Sequence, residues 1–243
     1  MAISTTFKSR LKEKEQLAEG TMGFYFARPE GFEFKAGQYV DVTLIDPPET
    51  DAEGNIRSFS IASAPEDQYL MVATRMRDTA FKRVLRAAPF DTEISMEGPM
   101  GSFTLHNNAA KPAVFLAGGI GITPFSSIIR HATKAGLAHR LYLFYANRRP
   151  EDAAFMNVLS ELAKTNSNFR FIPSMTEMEK SSQKWNGETG FINQGMLARH
   201  LPSLQGPIYY VAGPPAMVAA MRQMLTAAGV DEDDIRAEEF AGY

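Results

Sequence analysis

A chain of 243 residues fits one large domain or two modest ones, and 44% apolar with 22% charged residues is the composition of a globular protein. A formal charge of −3 argues against a general nucleic-acid binder, and the absence of cysteine excludes disulfides and thiolate-bound iron–sulfur clusters within the chain. His106, His131, His139 and His200 are scattered without metal-ligand spacing, so they are expected to be solvated or capping, and no metal site is expected. Met1–Lys14 lacks the apolar core of a signal peptide, and no run approaches the ~18–20 apolar residues of a membrane span. The default expectation is a cytoplasmic protein, with a monomer favoured.

Up to about residue 108, short alternating or β-branched runs are separated by glycine and proline. Strands are expected at Gly23–Arg28, Tyr39–Leu44, Arg57–Ala62, Tyr69–Thr74 and Glu93–Glu97. A helix is expected at Ala80–Ala87, capped by Asp78 or Thr79. About six strands with one helix predict a closed barrel. DPPETDAEGN, Asp46–Asn55, reads as a polar loop inside this half, and Leu105–Lys111 as a linker. Beyond it, strands alternate with helices. Ala113–Ala117 precedes a helix from Pro124, and Leu141–Tyr145 precedes one near Ala153–Lys164. Phe169–Pro173 follows, then Ile208–Ala212 with a helix near Ala216–Ala228. That order predicts a parallel sheet covered on both faces.

Four segments point to chemistry. In AGGIGITPF, Gly118, Gly119 and Gly121 let the backbone turn sharply at the end of a buried strand, with Thr123 as a helix cap. A glycine turn feeding a helix N-terminus favours phosphate, although a purely steric turn is the alternative. In YVAGPPAMV, Gly213, Pro214 and Met217 follow a second buried strand. Ligands of open parallel sheets sit beyond the strands' carboxyl ends, so two such loops imply one crevice. RSFS offers the Arg57 guanidinium for a phosphate, the Phe59 ring for a planar ligand and the Ser60 hydroxyl for a ring nitrogen. By pattern alone, an exposed strand with a surface arginine fits equally well. The ending AEEFAGY, taken alone, reads as a frayed tail.

Together with FKAGQYV at Phe34–Val40, TRMRDTAFKRVL at Thr74–Leu85 and GPMGSF at Gly98–Phe103, these segments resemble the ferredoxin–NADP⁺ reductase family in content and order, over nearly the whole chain. The resemblance implies an antiparallel β-barrel FAD-binding domain, residues 1–107, followed by an α/β parallel-sheet NAD(P)-binding domain, residues 108–243. It implies that Arg57, within Arg57-Ser58-Phe59-Ser60, contacts the FAD pyrophosphate, that Phe59 stacks on the flavin and that Ser60 hydrogen-bonds near its N5. Thr74, Arg75 and Thr79 would lie along the pyrophosphate. Gly118, Gly119, Gly121 and Thr123 would cradle the nicotinamide nucleotide, with Gly213, Pro214 and Met217 at its nicotinamide end. Glu238, Glu239 and Phe240 match a Glu-x-aromatic ending, so Phe240 or Tyr243 would cover the flavin. Phe59 stands where the family has tyrosine, and Ala212 where many relatives have cysteine.

The activity implied is hydride transfer between NADPH (or NADH) and FAD, with Ser60 and Glu238 handling hydrogen bonds and protons. Arg148 and Arg149, at a strand end where an acid would select a free ribose hydroxyl, favour NADPH. A separate ferredoxin or flavodoxin is the expected partner, with Arg75, Arg77, Lys82, Arg83 and Arg86 as docking candidates and a solvated helix face as the plainer reading of most of them. The alternatives are a flavin or quinone reductase acting on small molecules, and a non-catalytic nucleotide-binding regulatory subunit.

Overall fold

A computed structural model of the chain describes residues 5–240. The first sheet contains β1 (Thr5–Ala18), β2 (Thr21–Ala27), β3 (Tyr39–Leu44), β4 (Ile56–Ser60), β5 (Tyr69–Arg75) and β6 (Glu93–Met100), antiparallel in the order β4-β3-β6-β1-β2-β5. Alternation builds its interior. Val40, Val42 and Leu44 of β3 point inward, where they meet Phe24, Phe26, Val72 and Met96. The edges approach one another where the Ala62 amide, just past β4, donates to the Met71 carbonyl of β5 at 2.7 Å. Helix α1 (Ala80–Ala87) lies where expected, and its N-cap is Thr79.

β1 lies outside the expected strands because it has no apolar run. Its period is nonetheless two: Ser9 and Leu11 are buried, while Lys8, Arg10 and Lys12 lie outside and pair with Glu93 or Asp91. Such a strand is held by its neighbours β2 and β6 more than by its own composition.

The second sheet is parallel, ordered β10-β9-β8-β7-β11-β12. Its strands are β7 (Ala113–Gly118), β8 (Leu141–Asn147), β9 (Phe169–Met175), β10 (Glu188–Thr189), β11 (Ile208–Gly213) and β12 (Ile235–Glu239). Helices α2 (Ile122–Lys134) and α3 (Met156–Thr165) cover one face, and α4 (Gln194–His200) and α5 (Pro215–Ala227) the other. β7 shows the division: Phe115 and Ala117 pack with Phe125 and Ile129 of α2, and Val114 and Leu116 with Val218 and Leu225 of α5. Both faces are covered, which is why these strands read as continuous apolar runs.

Three expectations need correction. Helix α2 starts at Ile122, with Thr123 inside its first turn; the Thr123 hydroxyl donates to the Ile120 carbonyl at 3.0 Å and does not cap the helix. The ending is no frayed tail through Glu239, because β12 pairs in register with β11. His106 and His139 are buried and not solvated. Burial pushes the His106 pKa down, and its ring contacts the Tyr210 hydroxyl and the Lys111 carbonyl at 3.0 Å each.

The two sheets dock tightly. Phe103 packs on Phe125 with ring centres 5.7 Å apart, and the Ser127 hydroxyl donates to the Ser63 carbonyl at 2.6 Å. Asp67 pairs with Arg130 at 2.7 Å and with Lys134. The segment between the sheets is pinned as well: the His106 amide donates to the Tyr210 hydroxyl, and Arg236 donates to the Thr104 carbonyl. Among the described residues no helix is long and apolar enough to cross a membrane, and no cluster of side chains has the makings of a metal site.

Candidate cofactor and nucleotide site

Where the carboxyl ends of β7 and β11 face the end of β4, a cavity of about 330 Å³ opens. Arg57, Ser58, Phe59 and Ser60 reach it from β4, and Thr74 and Arg75 from β5. Thr79 and Lys82 border it from α1, Ile120 and Thr123 from the glycine turn, and Phe240 from the chain's end. Segments far apart in sequence thus line one volume. Phe59 also packs on Phe81 of the barrel core, ring centres 5.9 Å apart. Ser58 points elsewhere in part, its hydroxyl hydrogen-bonded to Asp41. Phe240 is held in place by its backbone: its amide donates to the Gly213 carbonyl at 3.0 Å, extending the β11–β12 ladder by one bond. Tyr243 lies outside the described residues.

The cationic wall of the cavity contains Arg57, Arg75, Arg77 and Lys82. Burial, followed by repulsion from Arg77 and Arg57, pushes the Lys82 pKa down. The loop 46–55 folds onto this wall. Glu53 pairs with Arg57 at 2.8 Å, Asp51 lies 3.6 Å from the same guanidinium, and Glu49 pairs with Arg83. Asp51 also accepts the Ala80 amide at 2.8 Å, and that hydrogen bond holds its carboxyl below the usual range. The N-terminal turn of α1 is therefore already capped by a carboxylate, and Thr79 accepts from the Lys82 amide at 3.4 Å. The donors on this wall that could meet an anion, the Ala80 amide and the Arg57 guanidinium, are thus held by Asp51 and Glu53.

An adjoining cleft of about 540 Å³ crosses the strand ends of the parallel sheet. Gly118 and Gly119 of β7 and its turn, Pro214 and Met217 beyond β11, and Ala146, Asn147 and Arg148 beside β8 line it. Gly20, Arg75, Met76, Arg77, Thr176 and Phe191 complete it. Gly118 and Gly213 are small for a reason: a Cβ on Gly118 would lie 2.3 Å from the Met217 sulfur, and one on Gly213 would lie 3.2 Å from it. Gly121 lies beneath, against the backbone of β11. Of the two arginines singled out from the sequence, only Arg148 lines the cleft. Arg149 is committed elsewhere, bidentate to Asp152 at 2.9 Å and paired to Glu19 at 2.7 Å.

Glu238 lines neither the cavity nor the cleft. It sits on β12 opposite Ala212, with one carboxylate oxygen shielded from solvent and without a hydrogen-bond partner. Burial pushes its pKa up to about 7. A carboxyl whose folded pKa exceeds its unfolded one favours folding at low pH and loses that contribution as pH rises from about 4.5 towards 7. Glu238→Gln is therefore expected to gain stability relative to the parent at pH 8 and to show less gain at pH 4.5. Thermal denaturation at the two pH values checks this, and a difference independent of pH contradicts it.

The basic residues named as docking candidates divide between the cavity and the surface of α1. Arg75, Arg77 and Lys82 border the cavity, Arg83 is paired with Glu49 and Asp78, and Arg86 is exposed at the far end of α1. Asn147, Thr176 and Phe191 were not picked out from the sequence; nothing in their local pattern separates them from loop residues.

Residues 115–223 match the family model of the oxidoreductase NAD-binding domain. The chain is 30% identical over 218 residues to the reductase component of propane 2-monooxygenase from Rhodococcus jostii, an alignment that takes in 87% of this chain and 57% of that protein. It is 27% identical over 251 residues to ferredoxin–NADP reductase B of Sorangium cellulosum, covering 99% of this chain and 100% of that one. Over nearly its whole length the chain is similar to the ferredoxin–NADP⁺ reductase family, and its second half carries that oxidoreductase NAD-binding domain. Its fold matches the solved ferredoxin–NADP⁺ reductase of Neisseria gonorrhoeae with bound FAD and NADP, at a TM-score of 0.77 and 21% identity, covering 96% of this chain and 98% of that one. This is a family of FAD- and NAD(P)-binding reductases. The chain spans about 60% of the length of the monooxygenase reductase components it matches.

Proposed function

We propose that this chain is an NAD(P)H-dependent flavoprotein reductase that takes hydride from NADPH onto FAD and passes electrons to a separate ferredoxin or flavodoxin. One observation carries the reading: the Arg57–Ser60 strand, the Ile120–Thr123 turn and Phe240 converge on one cavity that adjoins the glycine-floored cleft. Bound flavin supplies the two-electron to one-electron conversion, and the protein supplies orientation and charge. We assign the barrel, residues 1–107, to FAD and residues 108–243 to the nucleotide.

The donor set suits those ligands. Arg57, Arg75, Arg77 and Lys82 present the charge that a pyrophosphate needs, and Phe59, Ser60 and Phe240 present rings and a hydroxyl for a planar heterocycle. Ser60, buried at the end of β4, is the residue proposed to donate to the ring. Met217 and Pro214 close the nicotinamide end, and Arg148 favours a 2′-phosphate. Hydride transfer depends on holding the two rings at a near-attack separation of roughly 3–3.5 Å, so these residues act by positioning. Glu238, expected from the sequence to handle protons at the ring, lines neither the cavity nor the cleft and is given no part in the step. These 243 residues contain no cysteine, so a thiolate-bound acceptor centre lies outside them.

An anaerobic spectrum tests the proposal. The protein reconstituted with FAD should bleach on mixing with NADPH, more slowly with NADH, and turnover with ferredoxin should fall steeply with ionic strength. A chain that takes up no FAD, or a bound flavin left oxidised by both nucleotides, sinks it. Salt-independent turnover with quinones alone moves the acceptor to small molecules.

A further inference from the structure

Asn147 is the last residue of β8, only 7% exposed, and lines the nucleotide cleft. Its backbone is fixed: the Thr176 amide and hydroxyl both reach its carbonyl, at 3.0 and 3.3 Å. Its side-chain amide nitrogen is shielded from solvent and has no hydrogen-bond partner among the described residues. A buried donor left unsatisfied costs stability, so the fold has no use for it that a leucine of similar shape would not serve better.

The register says where this residue stands. Gly118 pairs with Ala146, so Asn147 stands one residue beyond the glycine floor on the neighbouring strand. Across the cleft, the strand ends run β11, β7, β8, β9, contributing Pro214 and Met217, then Gly118, then Asn147, then Thr176. Adjacent strands are about 4.8 Å apart. A nicotinamide over Gly118 and Met217 therefore puts its diphosphate over the end of β8, and the adenosine end lies towards Arg148 and Thr176. An amide is suited to this position. It donates to a phosphoryl oxygen without adding a desolvated charge, and it carries no negative charge to repel one.

We propose that Asn147 is a nucleotide-binding residue whose side-chain amide donates to the diphosphate of the nicotinamide nucleotide. The proposal rests on the reading of the cleft given above. Because the diphosphate is common to both cofactors, Asn147→Leu should raise KM for NADPH and NADH alike, by about tenfold to thirtyfold, with kcat held within about twofold. The melting temperature measured without nucleotide should stay or rise, opposite in sign to the effect of removing a structural hydrogen bond. Should the leucine variant fold poorly, Asn147→Asp keeps the shape and should raise both KM values further. Unchanged KM values in the folded variant, or a rise confined to NADPH, overturn the assignment. Titration calorimetry of the parent protein with NADP⁺ and NAD⁺ separates the two levels. Binding of neither ends both the reading of the cleft and this inference, whereas binding that Asn147→Asp leaves untouched ends the inference alone.

Discussion

Gly121→Ala should lower the melting temperature by about 6–12 °C, the response expected of a chain this size to a loss of about 3 kcal/mol. The new Cβ would lie 2.3 Å from the Ala212 carbonyl oxygen, 2.5 Å from its carbon and 2.7 Å from the Gly213 nitrogen. All three are backbone atoms of β11, which is hydrogen-bonded on both sides to β7 and β12. No side chain can rotate to relieve the overlap, so β7 and β11 have to separate where the cleft is built. Gly118→Ala is the informative comparison. Its Cβ would meet the far end of the flexible Met217 side chain, at 2.3 Å. That variant should keep most of its stability and lose nucleotide affinity, because the displaced thioether moves into the cleft. Calorimetric melting of both variants, with NADP⁺ titrations, measures the two effects; equal melting temperatures would contradict the account of Gly121.

Arg57→Ala should weaken FAD binding by about 100-fold, the equivalent of roughly 2.7 kcal/mol and within the range of hydrogen bonds to charged groups. Asp51→Asn should act in the opposite direction, strengthening FAD by about tenfold. The reason is the same set of contacts. Arg57 is held by Glu53 and approached by Asp51, and Asp51 occupies the first amide of α1. A pyrophosphate competes with these carboxylates for the same donors. Removing the cation removes the attraction, and neutralising Asp51 removes the competitor. Flavin-fluorescence titrations at constant ionic strength provide both numbers. A weaker FAD complex in Asp51→Asn would show that the loop assists binding.

Much of this was legible from residue order. β3 and α1 have the limits read from their patterns, because strict alternation in YVDVTL and a threonine before AFKRVLRA leave few alternatives. The buried strands of the parallel sheet were clear because both faces are covered. β1 was missed because its outward face is a row of lysine and arginine, and only pairing with β2 and β6 makes it a strand. β12 was missed for a similar reason: its residues are half-exposed, and the ladder to β11 is what orders them. At the site, the glycine turns and the Arg57 strand could be found from type and spacing. Arg149 and Asn147 could not be sorted. Whether an arginine at a strand end reaches a cleft depends on Asp152 and Glu19, the latter in the turn between β1 and β2, and whether an amide is satisfied depends on everything around it.

The pinned segment between the sheets has a kinetic meaning. His106 and Thr104 are tied to Tyr210 and Arg236, and Asp67 clasps α2 from the barrel side. Two ring systems seated on these halves would approach each other across a gap fixed when the polypeptide folds. The search in distance and angle that two free reactants must make is then confined to small local adjustments. Loosening the Tyr210 anchor should slow ring-to-ring transfer even with both ligands still saturating.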